Sequence, residues 1–236
     1  MSKVKKAKKS EPKEKSCGFK LIHKNMAPVA DIATRKAIRY GLDNILIEDI
    51  GENKVRLVAL DGKMLIQVDS NSPEEKFGEE EMLTKAGWKG SGFKQTKVNA
   101  ESFLKLLNSI PNNKSLPYVE YAGIKKLDDK TLSIVTISET GSKIDTLAIG
   151  EGDFPDYKTA FPDRKPVFEV VLNPELLAKL SKVVGKLVGN TKDKTEVGVK
   201  FEFYDKTSVV KLTARKGDVE INALLMPMII TSSEKV

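Results

Sequence analysis

The sequence predicts an α+β fold built from a repeated strand–helix–three-strand unit, with helices on one face and antiparallel sheets on the other. Three observations predict it. The same order of segments recurs three times, each copy taking about 50–65 residues. Each copy carries one amphipathic helical segment followed by short runs of branched apolar residues set apart by turn signals. The apolar fraction of the 236 residues is 40%, enough to bury a core but spread over many short runs.

The first copy opens with a strand over Phe19–Ile22 and a helix around Asn25–Ala37. Strands Asn44–Asp49, Lys54–Ala59 and Met64–Val68 follow, divided by Asp43-Asn44, Gly51-Glu52-Asn53 and Asp61-Gly62. The second runs through Thr96–Val98, a helix over Ala100–Ile110, then Val119–Tyr121, Thr131–Ser138 and Lys143–Ile149. The third has Val167–Leu172, a helix over Pro174–Val188, then Val197–Tyr204, Ser208–Arg215 and Glu220–Met226. Neither a helix nor a small sheet buries its apolar face alone, so the units are expected to associate.

The third helix is the best specified. Asn173 is an N-cap and Pro174 occupies the first helical position, where its missing N–H costs nothing. At 100° per residue, Leu176, Leu177, Leu180, Val183, Val184 and Leu187 share one arc, and Lys179, Lys182 and Lys186 share another on the far side. In the second helix Phe103, Leu104, Leu107 and Ile110 form the apolar side, with Lys105 and Asn108 outward. Arg35, Lys36 and Arg39 fall at or just after the end of the first. Lysines on helices are usually a solvated face. Their recurrence at equivalent places points instead to a shared basic surface.

Charge divides unevenly. The whole chain is +7, and residues 1–16 hold seven lysines and two glutamates, leaving a body near neutrality. With few apolar side chains this tail is expected to be disordered, either a solubilising leader or an arm that raises local affinity for phosphates. The stretch from Asp69 to Gly92, with Glu79-Glu80-Glu81 and Trp88 between glycines, is expected as an exposed loop that Trp88 pins to the body.

One cysteine, Cys17, and one histidine, His23, exclude a disulfide framework, a Cys-rich zinc site and a His-based centre or triad. No apolar run reaches the roughly 18–20 residues that span a bilayer, and no signal peptide opens the chain. Asp128-Asp129, Asp153, Asp156 and the glutamate run lie in turns without metal-ligand spacing. No cofactor and no enzymatic activity are expected.

Three segments resemble the bacterial sliding clamp, the beta subunit of DNA polymerase III. Ala37–Glu48 with Leu57–Leu65 is similar to the start of the clamp's middle domain, where an Arg-Tyr-x-Leu strand precedes an Ala-Thr-Asp-Gly turn. Gly152-Asp153-Phe154-Pro155-Asp156-Tyr157-Lys158 resembles the Phe-Pro-Asp-Tyr connector, and Leu224-Leu225-Met226-Pro227-Met228-Ile229 the Met-Pro-Met ending. The match covers about residues 18–230, in the family's order. Three departures stand out. The chain shows three units where a clamp has six, Leu60 replaces the turn threonine, and Met64 and Thr159 stand where arginine is typical.

The resemblance implies the DNA clamp fold, with residues 17–162 as a middle-type domain and 163–236 as a shorter C-terminal one. It implies a processivity factor whose Lys36, Arg39, Lys105, Lys179, Lys182 and Lys186 meet duplex DNA through phosphates. It further implies an apolar groove that captures clamp-binding peptides of a DNA polymerase or other partners. By motif the groove is made of Leu42, Gly62, Leu65, Pro155, Thr159, Ala160, Leu176, Leu224, Met226 and Met228, for which ordinary core is the competing reading at Leu42 and Leu224. Gly62 is expected to permit close approach. A homo-oligomer, a clamp loader and the cytoplasm of a bacterial or phage-infected cell are implied partners and location. A clamp-fold adaptor or decoy that never closes a ring is the alternative.

Overall fold

The computed structural model describes residues 18–33, 41–72, 86–111, 117–138, 141–188, 198–216 and 219–229. The basic tail, Arg35, Lys36, Arg39 and Glu79-Glu80-Glu81 lie outside them. The chain divides into two compact units, with the break between Phe161 and Pro162.

Unit 1 contains β1 (Lys20–His23), a 3-10 helix (Lys24–Asp31), β2 (Asn44–Gly51), β3 (Lys54–Leu60), β4 (Leu65–Asn71) and β5 (Gln95–Asn99). It continues with α1 (Ala100–Asn108), a 3-10 turn (Pro117–Glu120), β6 (Tyr121–Lys126), β7 (Thr131–Ser138), β8 (Gly141–Ala148) and a 3-10 turn (Tyr157–Ala160). Unit 2 contains α2 (Pro174–Val188), β9 (Val199–Glu202), β10 (Val210–Lys216) and β11 (Val219–Leu225).

The repeats are not self-contained sheets. In unit 1 the two sheets run β4-β3-β2-β5 and β1-β6-β7-β8, all antiparallel. The opening strand of each repeat therefore joins the other repeat's sheet. Ile22 lies opposite Ala122, and Val98 lies opposite Ile45. Both sheets turn one apolar face to a common core of Ile22, Ile45, Ile47, Leu57, Val98, Ala122, Ile124 and Ile134, closed by Ala27, Val29 and Ala30 of the first 3-10 helix and Phe103 and Leu107 of α1. Exchange makes the two halves one core, so neither repeat of unit 1 folds as the separate brick its pattern suggests.

Three segments differ from expectation. The described part of the helix expected over Asn25–Ala37 is 3-10, Lys24–Asp31, with residues 34–37 outside the described residues; Pro28 within it has no N–H to give to an i−4 carbonyl. Val119 sits in a 3-10 turn, and the strand begins at Tyr121. Val167–Leu172 belongs to no sheet. The helix Pro174–Val188 lies where its cap places it, Asn173 Oδ1 accepting from the N–H of Glu175 (2.9 Å) and Leu176 (3.0 Å).

Trp88 pins its segment to the outer face of the β1-β6-β7-β8 sheet. It is fully buried among Phe19, Leu21 and Val135. Phe19 meets it edge-on at 5.2 Å, Lys125 Nζ lies 4.3 Å above the ring, and its indole N–H donates to Ser133 O at 3.4 Å.

Candidate nucleic-acid interface and peptide groove

The helices place the lysines. In α1, Asn99 Oδ1 caps the N–H groups of Glu101 and Ser102 at 3.1 and 3.2 Å, the same arrangement Asn173 makes in α2. Counting from the two caps, Lys105 and Lys179 hold the same helical position. Phe103 and Leu106 of α1 correspond to Leu177 and Leu180 of α2, and these four face their units' interiors. Lys105, Lys179, Lys182 and Lys186 are exposed on the opposite side. Lys105 Nζ is paired with Glu101 at 2.6 Å, one turn away. Among the described residues, Lys179, Lys182 and Lys186 make no ion pair.

Half of the apolar arc expected to be buried on α2 is open. Leu177 and Leu180 are partly buried and Val184 fully so, whereas Leu176, Val183 and Leu187 are about half exposed. A three-stranded sheet is wide enough to cover the centre of the arc but not this flank.

Two of the residues expected in the groove, Leu42 and Leu65, lie on the outer face of the β4-β3-β2-β5 sheet. Leu46, Val58, Leu60 and Tyr157 are buried there, and Leu42, Leu65 and Phe154 pack half-exposed against them. The segment after β8 reaches this face through Pro155 and a turn in which Asp156 Oδ1 accepts from Lys158 N (3.2 Å) and Thr159 Oγ1 donates to Asp156 O (2.9 Å). Thr159 and Ala160 are exposed. A Cβ built on Gly62 would meet no atom of this chain within 4 Å. The φ of 88° at Gly62 is a reason for glycine there. Asp61 Oδ1 closes that turn on Lys63 N (2.8 Å) and Met64 N (2.7 Å), which holds its carboxyl below the usual range.

A buried polar group behind this face escapes sequence reasoning. The Tyr157 hydroxyl donates to Glu48, and Arg56 forks onto Asp69 at 2.6 and 2.7 Å. Burial first, and then the Glu48 carboxylate, push the Tyr157 hydroxyl up, so it stays a neutral donor. Nothing in the local pattern pairs residues 48 and 157; only the fold joins them.

Of the residues expected in the groove, unit 2 holds Leu176 on α2 and Leu224, Met226 and Met228 on β11 and just beyond. Ile221, Ala223 and Leu225 turn toward α2, so Leu224 and Met226 point the other way and are about two-thirds exposed, with Met228 nearly half exposed. Leu224 is thus not part of the core beneath α2. Met228 N donates to Val171 O at 2.8 Å, tying the chain after β11 to the segment before α2.

Comparison with solved structures identifies the architecture. The chain superposes on the beta subunit from DNA polymerase of Streptococcus pyogenes with a TM-score of 0.62 and 13% identity, over 97% of this chain and 53% of that one. It has the DNA clamp fold. The DNA polymerase III beta subunit from Thermotoga maritima (TM-score 0.59, 18% identity, 96% and 52%) and the DNA polymerase sliding clamp from Bacillus subtilis (0.63, 11%, 92% and 51%) match likewise. The chain thus spans about half the length of the clamps it matches. No family model and no curated protein matches the sequence. Among the described residues no helix is long and apolar enough to cross a membrane, and no cluster of three metal-ligating side chains occurs.

Proposed function

We propose that this chain is a clamp-type processivity factor that holds duplex DNA without reading its sequence and recruits a DNA polymerase or other proteins through an apolar groove. One observation carries the reading: within the clamp fold, Lys105 and Lys179 recur at the same position on the helix side turned away from the core, and Lys182 and Lys186 extend that row. Lysine suits sliding. Its ammonium is a hydrated point charge on a flexible stem, so contacts with phosphates are individually weak, exchangeable and blind to base identity. Lys36 and Arg39 belong to the same proposed surface.

The groove reading rests on apolar side chains left open on each unit. Leu42, Leu65 and Pro155 are half-buried on unit 1, beside the exposed Gly62, Thr159 and Ala160; Leu176, Leu224, Met226 and Met228 are exposed on unit 2. Methionines adapt to different peptide side chains. The work is done by binding, with no covalent step and no cofactor, in a cytoplasmic homo-oligomer that a clamp loader would open.

Retention on DNA topology tests this. The protein is incubated with nicked circular duplex and separated by gel filtration at moderate salt, before and after the circle is cut. A clamp stays on the circle and leaves the linear form. Equal retention on both, or capture of apolar peptide with no retention on the circle, rejects the clamp and favours the ring-less adaptor.

A further inference from the structure

Unit 2 is half of the architecture that unit 1 completes. In unit 1 the opening strand of each repeat lies beside the first strand after the other repeat's helix, β5 against β2 and β1 against β6. Among the described residues the corresponding strand of unit 2, β9, is an edge of the three-stranded sheet β11-β10-β9. The corresponding opening segment, Val167–Leu172, pairs with no sheet. Donor and acceptor segments are both present in one chain, and neither has a strand partner on this side among the described residues.

The segment is nevertheless held where a donor strand belongs. In unit 1, β5 runs across the end of its own repeat's sheet, with Gly150 N donating to Lys97 O at 2.9 Å, two residues before the Asn99 cap. In unit 2, Met228 N donates to Val171 O at 2.8 Å, two residues before the Asn173 cap. At its other end Phe168 meets Phe203, just past β9, at 5.9 Å between ring centres. The segment therefore crosses the end of its own sheet as β5 does, with no strand to join.

The exposed apolar surface has the matching shape. Val199 and Phe201 of β9 face the same side as Ala214 and Leu212 of β10. They are 37% and 39% exposed, whereas their counterparts Ile45 and Ile47 of β2 are 0% exposed. On α2, Ala178 and Ser181 stand where α1 has Leu104 and Leu107, which line one cavity with Ala27 and Pro28 of the first 3-10 helix. They are exposed and small enough to let a second helix approach closely. Among the described residues unit 2 fully buries five apolar side chains, Val184, Val210, Leu212, Ala214 and Leu225, too small a core for an edge this apolar.

We propose that two copies of this chain complete unit 2 on each other, each laying residues 168–172 along the partner's β9 as β5 lies along β2. The pairing is reciprocal, as a two-fold interface requires. The register of unit 1 carries over: Leu172 lies opposite Val199 of the other copy and Val170 opposite Phe201, both inward, with Val171 opposite Lys200 on the outer face. Two chains then share one completed two-sheet unit in addition to the unit 1 that each holds.

The test needs no DNA, so its failure is separable from failure of the DNA reading. Sedimentation equilibrium of the full chain at tens of micromolar is expected to give an even-numbered assembly. Phe201→Asp and, independently, Val170→Asp are each expected to weaken the association at least tenfold with the helical circular dichroism kept. Where either variant unfolds, the cross-link decides: in a Cys17→Ser background, Val171→Cys with Lys200→Cys is expected to oxidise to a covalent dimer. A monomeric wild type, association unmoved by both folded aspartate variants, or a cysteine pair that yields no covalent dimer overturns the proposal.

Discussion

Lys105 and Lys179 occupy one position on two helices, each six residues beyond an asparagine that caps its helix. They differ in one respect: the Lys105 ammonium is engaged by Glu101 at 2.6 Å, whereas Lys179 has no ion partner among the described residues. Lys179→Ala is therefore expected to cut duplex affinity and lower the log–log salt slope by about 1. Lys105→Ala is expected to do less, and Glu101→Gln to strengthen binding by freeing the lysine. Anisotropy of a labelled duplex across a salt series reads all three. Equal effects of the two lysine variants would contradict the assignment.

Trp88 is the clearest stability prediction. Trp88→Ala removes a fully buried ring, its edge-on packing with Phe19 and the seat of Lys125, leaving a cavity under the loop. A loss of about 3–5 kcal/mol is expected for a large aromatic truncated in a core. Urea unfolding followed by circular dichroism measures it, and a loss below about 1 kcal/mol would show that the loop is not anchored there.

The hairpin between β9 and β10 supplies a pH test. The Ser208 hydroxyl first, then the N–H groups of Thr207 and Ser208, hold the Asp205 carboxyl down to about 2. An unfolded aspartate titrates near about 3.9. The folded value is the lower one, so this contribution is complete above pH 4 and fades as pH falls toward 2. Asp205→Ala is expected to lower the urea midpoint at pH 6 and to match wild type near pH 2. A gap that persists unchanged at pH 2 would contradict the bonding.

Met226 tests the groove. It is exposed on the side of β11 away from α2, so Met226→Glu leaves the core intact. Binding of a labelled leucine- and phenylalanine-containing peptide is expected to weaken at least tenfold, about 1.4 kcal/mol. Unchanged affinity with native circular dichroism would remove β11 from the groove.

How much of the molecule is legible in the sequence differs by element. Helix α2 is readable to the residue because Asn173 and Pro174 fix its start by local chemistry. The lysine row is readable for the same reason, since a cap sets the helix phase. Strand exchange is not, because β1 and β5 carry ordinary apolar runs that say nothing about which sheet they join. Val167–Leu172 has the composition of a strand but joins no sheet among the described residues. Pro28 is visible, but its consequence, a 3-10 helix in place of an α-helix, depends on packing against α1. Gly62 falls in the expected turn, and its positive φ is a second reason for glycine there that the sequence does not show.

The most direct measurement of the central claim is the salt dependence of duplex binding by Lys179→Glu/Lys182→Glu/Lys186→Glu beside the native protein. A clamp that meets DNA through this helix face is predicted to bind more weakly once the charges are reversed. Its log–log slope becomes shallower by about 3, one for each phosphate no longer neutralised, for duplexes of any sequence. Binding of unchanged strength and unchanged slope would place the lysine face of α2 away from DNA and contradict the clamp reading.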